Sequence, residues 1–356
     1  MKSFKHLAFR PENSCGRKYN EDGSDEPALL GKNDPFWNDY HKIVHSKSFR
    51  RLSDKTQVFP ISANPLVRNR LIHSIEVSSL SEIMAEMLEL NSSLSSAIGI
   101  GHDLGHSPFG HLGERIIERL SGQKFRHELF GVILAEKIER SGLGLNLSWE
   151  TLKGITKHSR GPNGLTIDQN LPLEFNVVML ADKIAYLFSD INDCLRTGFL
   201  KEKNLPDYYR KLGENQRQRV SNCLRAIQKE SLEYGMIKFQ ETSEAILFEK
   251  MRKWMYENVY FVLNNQIGRR KMEISMEKTW AKIIKFCEPR PELSPVFIIA
   301  IMTDSEIIQV ASDKEKFDKY NLGFSEIIPY CQKHSYQEED ILEQLDIRKF
   351  IYQEKN

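Results

Sequence analysis

From Phe36 onward, apolar positions recur at helical spacing almost throughout, and strand-like alternation is scarce. Asn64-Pro65 supplies a cap residue and a first-turn proline, so a helix is predicted to begin there. Leu66, Ile72, Ile75, Leu80, Ile83, Met84 and Met87 form its expected apolar stripe, with His73 at the edge. A second, more apolar helix is expected over Leu94–Leu104, a third over Leu112–Leu120, and a fourth over His127–Arg140, stopped by Ser141-Gly142. Leu171-Pro172 opens a long helix that runs through Arg196 to Thr197-Gly198. Helical pattern resumes after Leu205-Pro206, with a short strand expected at Ile237–Phe239 and a break at Glu288–Pro295. The pattern predicts a mainly α fold. Residues 1–35, rich in Asn, Gly, Ser and acids, read as an extended arm, 36–204 as the catalytic core, and 205–356 as a helical region packed on it.

Composition narrows the class. The chain has 356 residues, a net charge of +1 and 28% charged residues, which gives no electrostatic case for coating nucleic acid. The basic stretch 201–225, with Arg210, Lys211, Arg217 and Arg219, reads as a solvated helix face, with contact to phosphates or nucleic acid as the alternative. Five scattered cysteines (Cys15, Cys194, Cys223, Cys287, Cys331) make neither a zinc motif nor a disulfide framework. The first residues lack the apolar region of a secretory signal, and the longest apolar burst, Val296–Met302, falls short of the ~18 residues that span a bilayer. A soluble cytoplasmic protein without a membrane partner is the expectation.

The chemistry concentrates in Gly101-His102-Asp103-Leu104-Gly105-His106-Ser107-Pro108-Phe109-Gly110-His111-Leu112-Gly113-Glu114. With His73 upstream and Asp182 downstream, His102-Asp103 completes a set of two imidazoles and two carboxylates. That mixture suits Mn, Fe, Zn, Ni or Co, and Mg where oxygen donors dominate. Such a cation activates water toward phosphorus. His111 and Glu114, three residues apart, share a helix face, so the carboxylate can fix the imidazole tautomer as a general acid requires. The alternative for Glu114 is a first-turn acid that favours the helix, and for His127-Glu128 an ordinary helix start.

Several longer runs resemble one family. Phe49–Pro60, Asn69–Val77, Gly101–His111, Ala181–Asp190 and Ile301–Asp304 are similar to motifs of the deoxyguanosine triphosphate triphosphohydrolase family, over roughly residues 36–200 and thinly beyond. The resemblance implies an all-α HD fold and cleavage of a deoxynucleoside triphosphate to deoxynucleoside plus triphosphate. It implies His73, His102, Asp103 and Asp182 as ligands of a divalent metal, Mg²⁺ or Mn²⁺ in the first instance. His111, supported by Glu114, would be the proton donor, and His127 a further catalytic histidine. Arg70 and Lys183 would hold phosphates, Tyr186 and Asp190 the sugar, and Gln57 its 3′ side. Arg50 and Arg51 would meet phosphates or an effector, unless they are plain surface charge. The family often has an acidic residue where Lys183 stands, and the animal relative has lysine, which leans toward relaxed dNTP use. A homo-oligomer with a nucleotide effector is also implied.

Two other readings stay open. One is a different HD phosphohydrolase, such as a nucleotidase or cyclic-nucleotide phosphodiesterase. The other is a non-catalytic nucleotide sensor or nucleic-acid-binding module, although nothing in the sequence supports a single-stranded nucleic acid partner.

Overall fold

The computed structural model describes residues 3–18, 34–58, 64–159, 165, 167–263, 267–312, 315, 317–320 and 325–333. Helices dominate, and the described residues hold only isolated β-bridges. In chain order they are α1 (Pro35–Val44), α2 (Lys47–Arg51), α3 (Arg70–Met87), α4 (Ser92–Gly101), α5 (His111–Ser121), α6 (His127–Ile133), α7 (Trp149–Lys157) and α8 (Leu173–Arg196). After these come α9 (Asp207–Lys211), α10 (Gln216–Tyr234), α11 (Ser243–Met255), the short α12 (Phe261–Leu263), α13 (Ile267–Cys287), α14 (Pro295–Ile301) and α15 (Asp304–Ser312).

Local chemistry explains most of the boundaries. Asp34, Ser46, Asn69, Asn91, Ser148, Asn215, Thr242 and Ser294 each accept a backbone N–H of the first turn they precede. The helix expected from Asn64-Pro65 therefore begins later, at Arg70 behind Asn69, which places His73 in its first turn rather than mid-helix. The predicted stripe is also displaced. Leu66, Ile72, Ile75 and Ile83 are exposed, while His73, Ser74, Val77, Ser78, Ser81, Met84 and Ala85 face inward. Small serines let α4 come close: Ser78 Oγ donates to the Ser96 carbonyl at 2.9 Å, and a Cβ on Gly99 would stand 2.8 Å from Ser78 Cα. The strand expected at Ile237–Phe239 is irregular backbone whose Ile237 and Phe239 are buried.

Two apolar clusters carry the core. One gathers Ile100, Leu104, Ile116, Phe130, Leu152, Ile155, Met276, Ile298 and Val310, and the other Val77, Ile98, Val178, Ile184, Phe188, Ile227 and Phe248. α4 spans both, through Ile100 in the first and Ile98 in the second. The N-terminal segment is tied down as well, since Phe4 is buried, the Phe9 N–H donates to Glu174, and Arg17 pairs with buried Asp39. The rest of the predicted arm, residues 19–33, lies outside the described residues.

Two basic positions differ from expectation. Arg219 is buried, stacked 3.7 Å over the Tyr209 ring and bonded to Tyr209 and the Glu214 carbonyl, so it is not a solvated cation. Arg51 pairs with Glu306 and donates to the Ile301 carbonyl, fastening α2 to the C-terminal helices. Among the described residues, no single helix is long and apolar enough to cross a membrane. All five cysteines are free, and only Cys15 is exposed.

Candidate active site

Five helix ends and one helix middle build the site. Arg70 and His73, three apart in the first turn of α3, point to one side. His102 and Asp103 follow the last residue of α4. The His102 ring is fixed because its Nδ1 donates to the Gly99 carbonyl at 2.7 Å, which leaves Nε2 as a bare lone pair facing inward. Asp182, midway along α8, completes the group.

Asp182 Oδ1 lies 3.1 Å from His73 Nε2 and 3.9 Å from His102 Nε2. Asp103 Oδ1 lies 3.3 Å from His102 Nε2, and its Oδ2 accepts from Arg70 Nη1 at 2.7 Å. His73, His102 and Asp103 are buried, whereas the Asp182 side chain keeps 16% exposure toward the cleft. Burial favours the neutral form of both carboxyls. For Asp103 the neighbouring His102, Arg70 and His106 outweigh it, and for Asp182 the His73 hydrogen bond and Lys183 do, so both are held well below the usual carboxylate range.

These residues suit a divalent cation. His102 Nε2 is buried with no hydrogen-bond partner and faces carboxylate oxygens, an opposition of lone pairs that a cation relieves. Donors bound to one ion at about 2.1 Å and at angles near 90–110° stand about 3.0–3.4 Å apart. The 3.1 and 3.3 Å separations match that spacing.

A second array of imidazoles stands beside the first. Glu114, in the first turn of α5, bridges two of them, with Oε2 2.8 Å from His111 Nδ1 and Oε1 2.7 Å from His127 Nδ1. The His111 side chain is 60% exposed, while His127 is buried. Burial acts to neutralise His127, but the Glu114 carboxylate overrides it and raises the imidazole to about 9. His106 stacks on His127 with ring centroids 3.8 Å apart. α6 reaches this position because Gly105 has no side chain: a Cβ there would fall 2.1 Å from the His127 carbonyl oxygen.

The two arrays open into a cleft of about 550 Å³, a volume suited to a nucleotide-sized ligand. Gln57, Arg70, Lys183 and Tyr186 line it, together with Arg115, Arg252, Tyr260 and Arg269. Arg70 Nε and Gln57 Oε1 are buried without hydrogen-bond partners. Asp190 lies behind the lining, two helical turns beyond Asp182, and accepts from the Tyr260 hydroxyl at 2.7 Å. Thus ten of the twelve residues singled out in sequence line the cleft, while buried His102 lies just beneath its surface and Asp190 supports Tyr260.

Residues 70–187 match the HD domain family. A stretch of 267 residues is 38% identical to a deoxyguanosinetriphosphate triphosphohydrolase-like protein of Clostridium perfringens (strain 13 / Type A), covering 72% of this chain and 76% of that protein. The chain belongs to the deoxyguanosinetriphosphate triphosphohydrolase-like proteins. Similar relatives of the same name occur in Caldanaerobacter subterraneus subsp. tengcongensis, 41% identical over 63% of this chain and 65% of that protein, and in Desulfatibacillum aliphaticivorans, 36% identical over 67% and 71%. As a member of this HD-domain hydrolase family, the chain holds its buried His/Asp cluster inside the matched segment, consistent with a divalent metal site.

Two histidines of the site had no role assigned from the sequence, His106, although it lies in the histidine-rich run, and His158. His106 and His158 both line the cleft and are buried. His158 ends α7 as His102 ends α4, and its Nδ1 donates to the carbonyl three residues earlier, Ile155, at 2.7 Å. For His158 the readable signal was a histidine at a helix end ahead of Gly161 and Pro162, much as His102 precedes Gly105 and, further on, Pro108.

Proposed function

We propose that this hydrolase cleaves a deoxynucleoside triphosphate to the deoxynucleoside and intact triphosphate, using a divalent metal held by His73, His102, Asp103 and Asp182. The observation that carries the reading is the meeting of that donor set with a carboxylate-backed, exposed imidazole in one cation-lined cleft. When bound, the metal supplies Lewis-acid polarisation of water and of a phosphoryl oxygen.

The chain's own groups account for the remainder. Arg70, Lys183 and Arg115 offset charge on the phosphates. His111, its Nδ1 held by Glu114, presents Nε2 to the cleft and delivers a proton to the departing 5′ oxygen. Glu114 keeps that imidazole in one orientation and stays ionised, since His127, His106 and His111 overcome its burial. Tyr186, held beside Tyr260 with ring centroids 5.2 Å apart, offers a flat surface to the sugar, and Asp190 anchors Tyr260 from behind. Gln57 presents an unpaired buried oxygen to the 3′ side. The homo-oligomer and nucleotide effector belong to the same reading and are checked by light scattering with and without added dNTPs.

Anion-exchange separation of products tests the reaction, with each dNTP alone and in mixture, in Mg²⁺ or Mn²⁺. Deoxynucleoside plus triphosphate is the expected result, and turnover only in the mixture identifies an effector. Monophosphate with pyrophosphate, or free phosphate, assigns the chain to another HD phosphohydrolase chemistry. Tight binding without product assigns it to sensing.

A further inference from the structure

Lys55 is a buried titratable group that the proposed reaction leaves unused. It is 3% exposed, and its acceptors among the described residues are two main-chain carbonyls. Nζ donates to the carbonyl of His106 and, at 2.9 Å, to that of Ala300. The acids whose charge reaches it are engaged elsewhere. Asp304 accepts from Thr56 and Phe109, and Glu306 pairs with Arg51 and accepts the Thr303 N–H. Burial, and after it the charge of Arg51, draws the ammonium down to about 7, with Asp304 and Glu306 opposing.

A buried ammonium without a close carboxylate contributes little to stability, and an apolar chain of the same length would pack as well. What these bonds do is join segments. The Lys55 carbonyl accepts the N–H of Arg70, the residue that opens α3, at 3.1 Å. Ala300 lies in the last turn of α14, whose unpaired carbonyls favour a cation. His106 belongs to the turn between α4 and α5. Lys55 is thus a strut from the start of α3 to the end of α14, with that turn fastened to it.

The turn needs holding. Phe109 and Gly110 both have φ of +58°, and a bulky residue keeps that conformation only where its surroundings enforce it. Gly110 is also the cap position of α5, so no side chain accepts the first-turn N–H groups there. His111 is the first residue of α5, and the direction of its ring follows from the turn before it. Asp304 holds the turn by the Phe109 N–H at 2.8 Å, and Lys55 holds it by the His106 carbonyl.

We propose that Lys55 is a positioning residue for proton delivery, fixing the turn that aims the His111 imidazole at the departing oxygen. Lys55 is not among the described residues that line the cleft, so it acts through His111 and Glu114. The inference rests on the role given to His111 in the proposed function.

The test is Lys55→Met, which keeps the length of the side chain and removes its donors. In the full chain with Mg²⁺ and no nucleotide, the ring ¹⁵N resonances of His111, assigned by their loss in His111→Gln, report which nitrogen carries the proton. The native neutral ring is expected to be protonated at Nδ1, as the Glu114 contact requires. Lys55→Met is expected to shift it to the tautomer mixture of a free imidazole, with circular dichroism showing retained helix. With the dNTP that the native chain cleaves, Lys55→Met should lower kcat by part of the roughly 10²–10⁴-fold due to a general acid. In the His111→Ala chain the same change should alter kcat by no more than about twofold, since the two residues act as one unit. A native His111 signature in helical Lys55→Met would overturn the proposal, as would equal losses in the two backgrounds, which mark a merely structural role. Should Lys55→Met lose its helix, Lys55→Gln, whose amide ends short of both carbonyls, is held to the same two criteria. The ring signature uses no nucleotide, so failure of the strut is separable from failure of the product analysis.

Discussion

His111 and Glu114 show how far a spacing of three residues can be trusted. Their separation at a helix start predicted one face, and the structure gives a 2.8 Å contact between them. His111→Ala is expected to leave the metal content unchanged and to lower kcat by roughly 10²–10⁴, the usual loss on removing a general acid. Steady-state kinetics paired with elemental analysis check it, and a wild-type kcat would remove His111 from the proton path. Asp190 makes a different prediction. Burial raises its carboxyl to about 8, with the Tyr260 hydrogen bond opposing. The unfolded chain releases that proton near pH 3.9. Between those values the folded state holds the extra proton, so stability falls as pH rises from about 4 to 8 and levels off above. Asp190→Asn removes the dependence, at most about 1.4 kcal/mol per pH unit. Its melting temperature should therefore gain on wild type more at pH 8 than at pH 5. A constant difference between the two pH values would refute the raised carboxyl.

At the scale of elements, the long helices were legible because caps and punctuation are local. α8 begins after Leu171-Pro172 and ends at Arg196, as the sequence pattern indicates. α3 was misread because its buried face carries serines, which hydropathy scores as solvent-facing. What those serines do is tertiary: Ser74, Ser78 and Ser81 are small enough for α4 to pack closely, and Gly99 completes the approach. That crossing carries the site, since α3 supplies His73 and α4 leads into His102 and Asp103. Gly99→Ala is expected to push the helices apart and cost about 1–3 kcal/mol, the range for overpacking a tight contact. It should also weaken metal binding, because His73 and His102 sit on the separated elements. A shift of the urea midpoint together with a higher Mn²⁺ dissociation constant would bear this out. An unchanged midpoint would mean that the crossing relaxes without effort.

Over the whole molecule, the grouping of His73, His102, Asp103 and Asp182 was legible because a His-Asp pair in a dense run of histidines is rare and the two outlying residues fall inside long similar runs. One wall of the cleft around them was not, since it comes from the C-terminal region, where the motifs thin out. Arg252, Tyr260 and Arg269 line it from residues that carry no local signal. Asp304 shows how that half acts at a distance. Its carboxyl is buried and accepts the Phe109 N–H at 2.8 Å and the Thr56 N–H at 2.9 Å, with the Thr56 hydroxyl as a further donor. It thereby joins the start of α15 to two segments of the catalytic core, one entering α5 and His111, the other leading to Gln57. Asp304→Ala leaves those donors buried and unpaired, each costing about 1–3 kcal/mol. The loss in stability should exceed that of a simple side-chain deletion. Because the proposed metal ligands lie on α3 and α8 and just after α4, metal stoichiometry should persist. The two clamped segments should shift, so KM should rise and kcat fall together. Denaturant titration, elemental analysis and steady-state kinetics on one preparation separate these effects. Retained kinetics with lowered stability would confine Asp304 to holding the fold, whereas loss of metal would show that the C-terminal helices also set the geometry of the ligands.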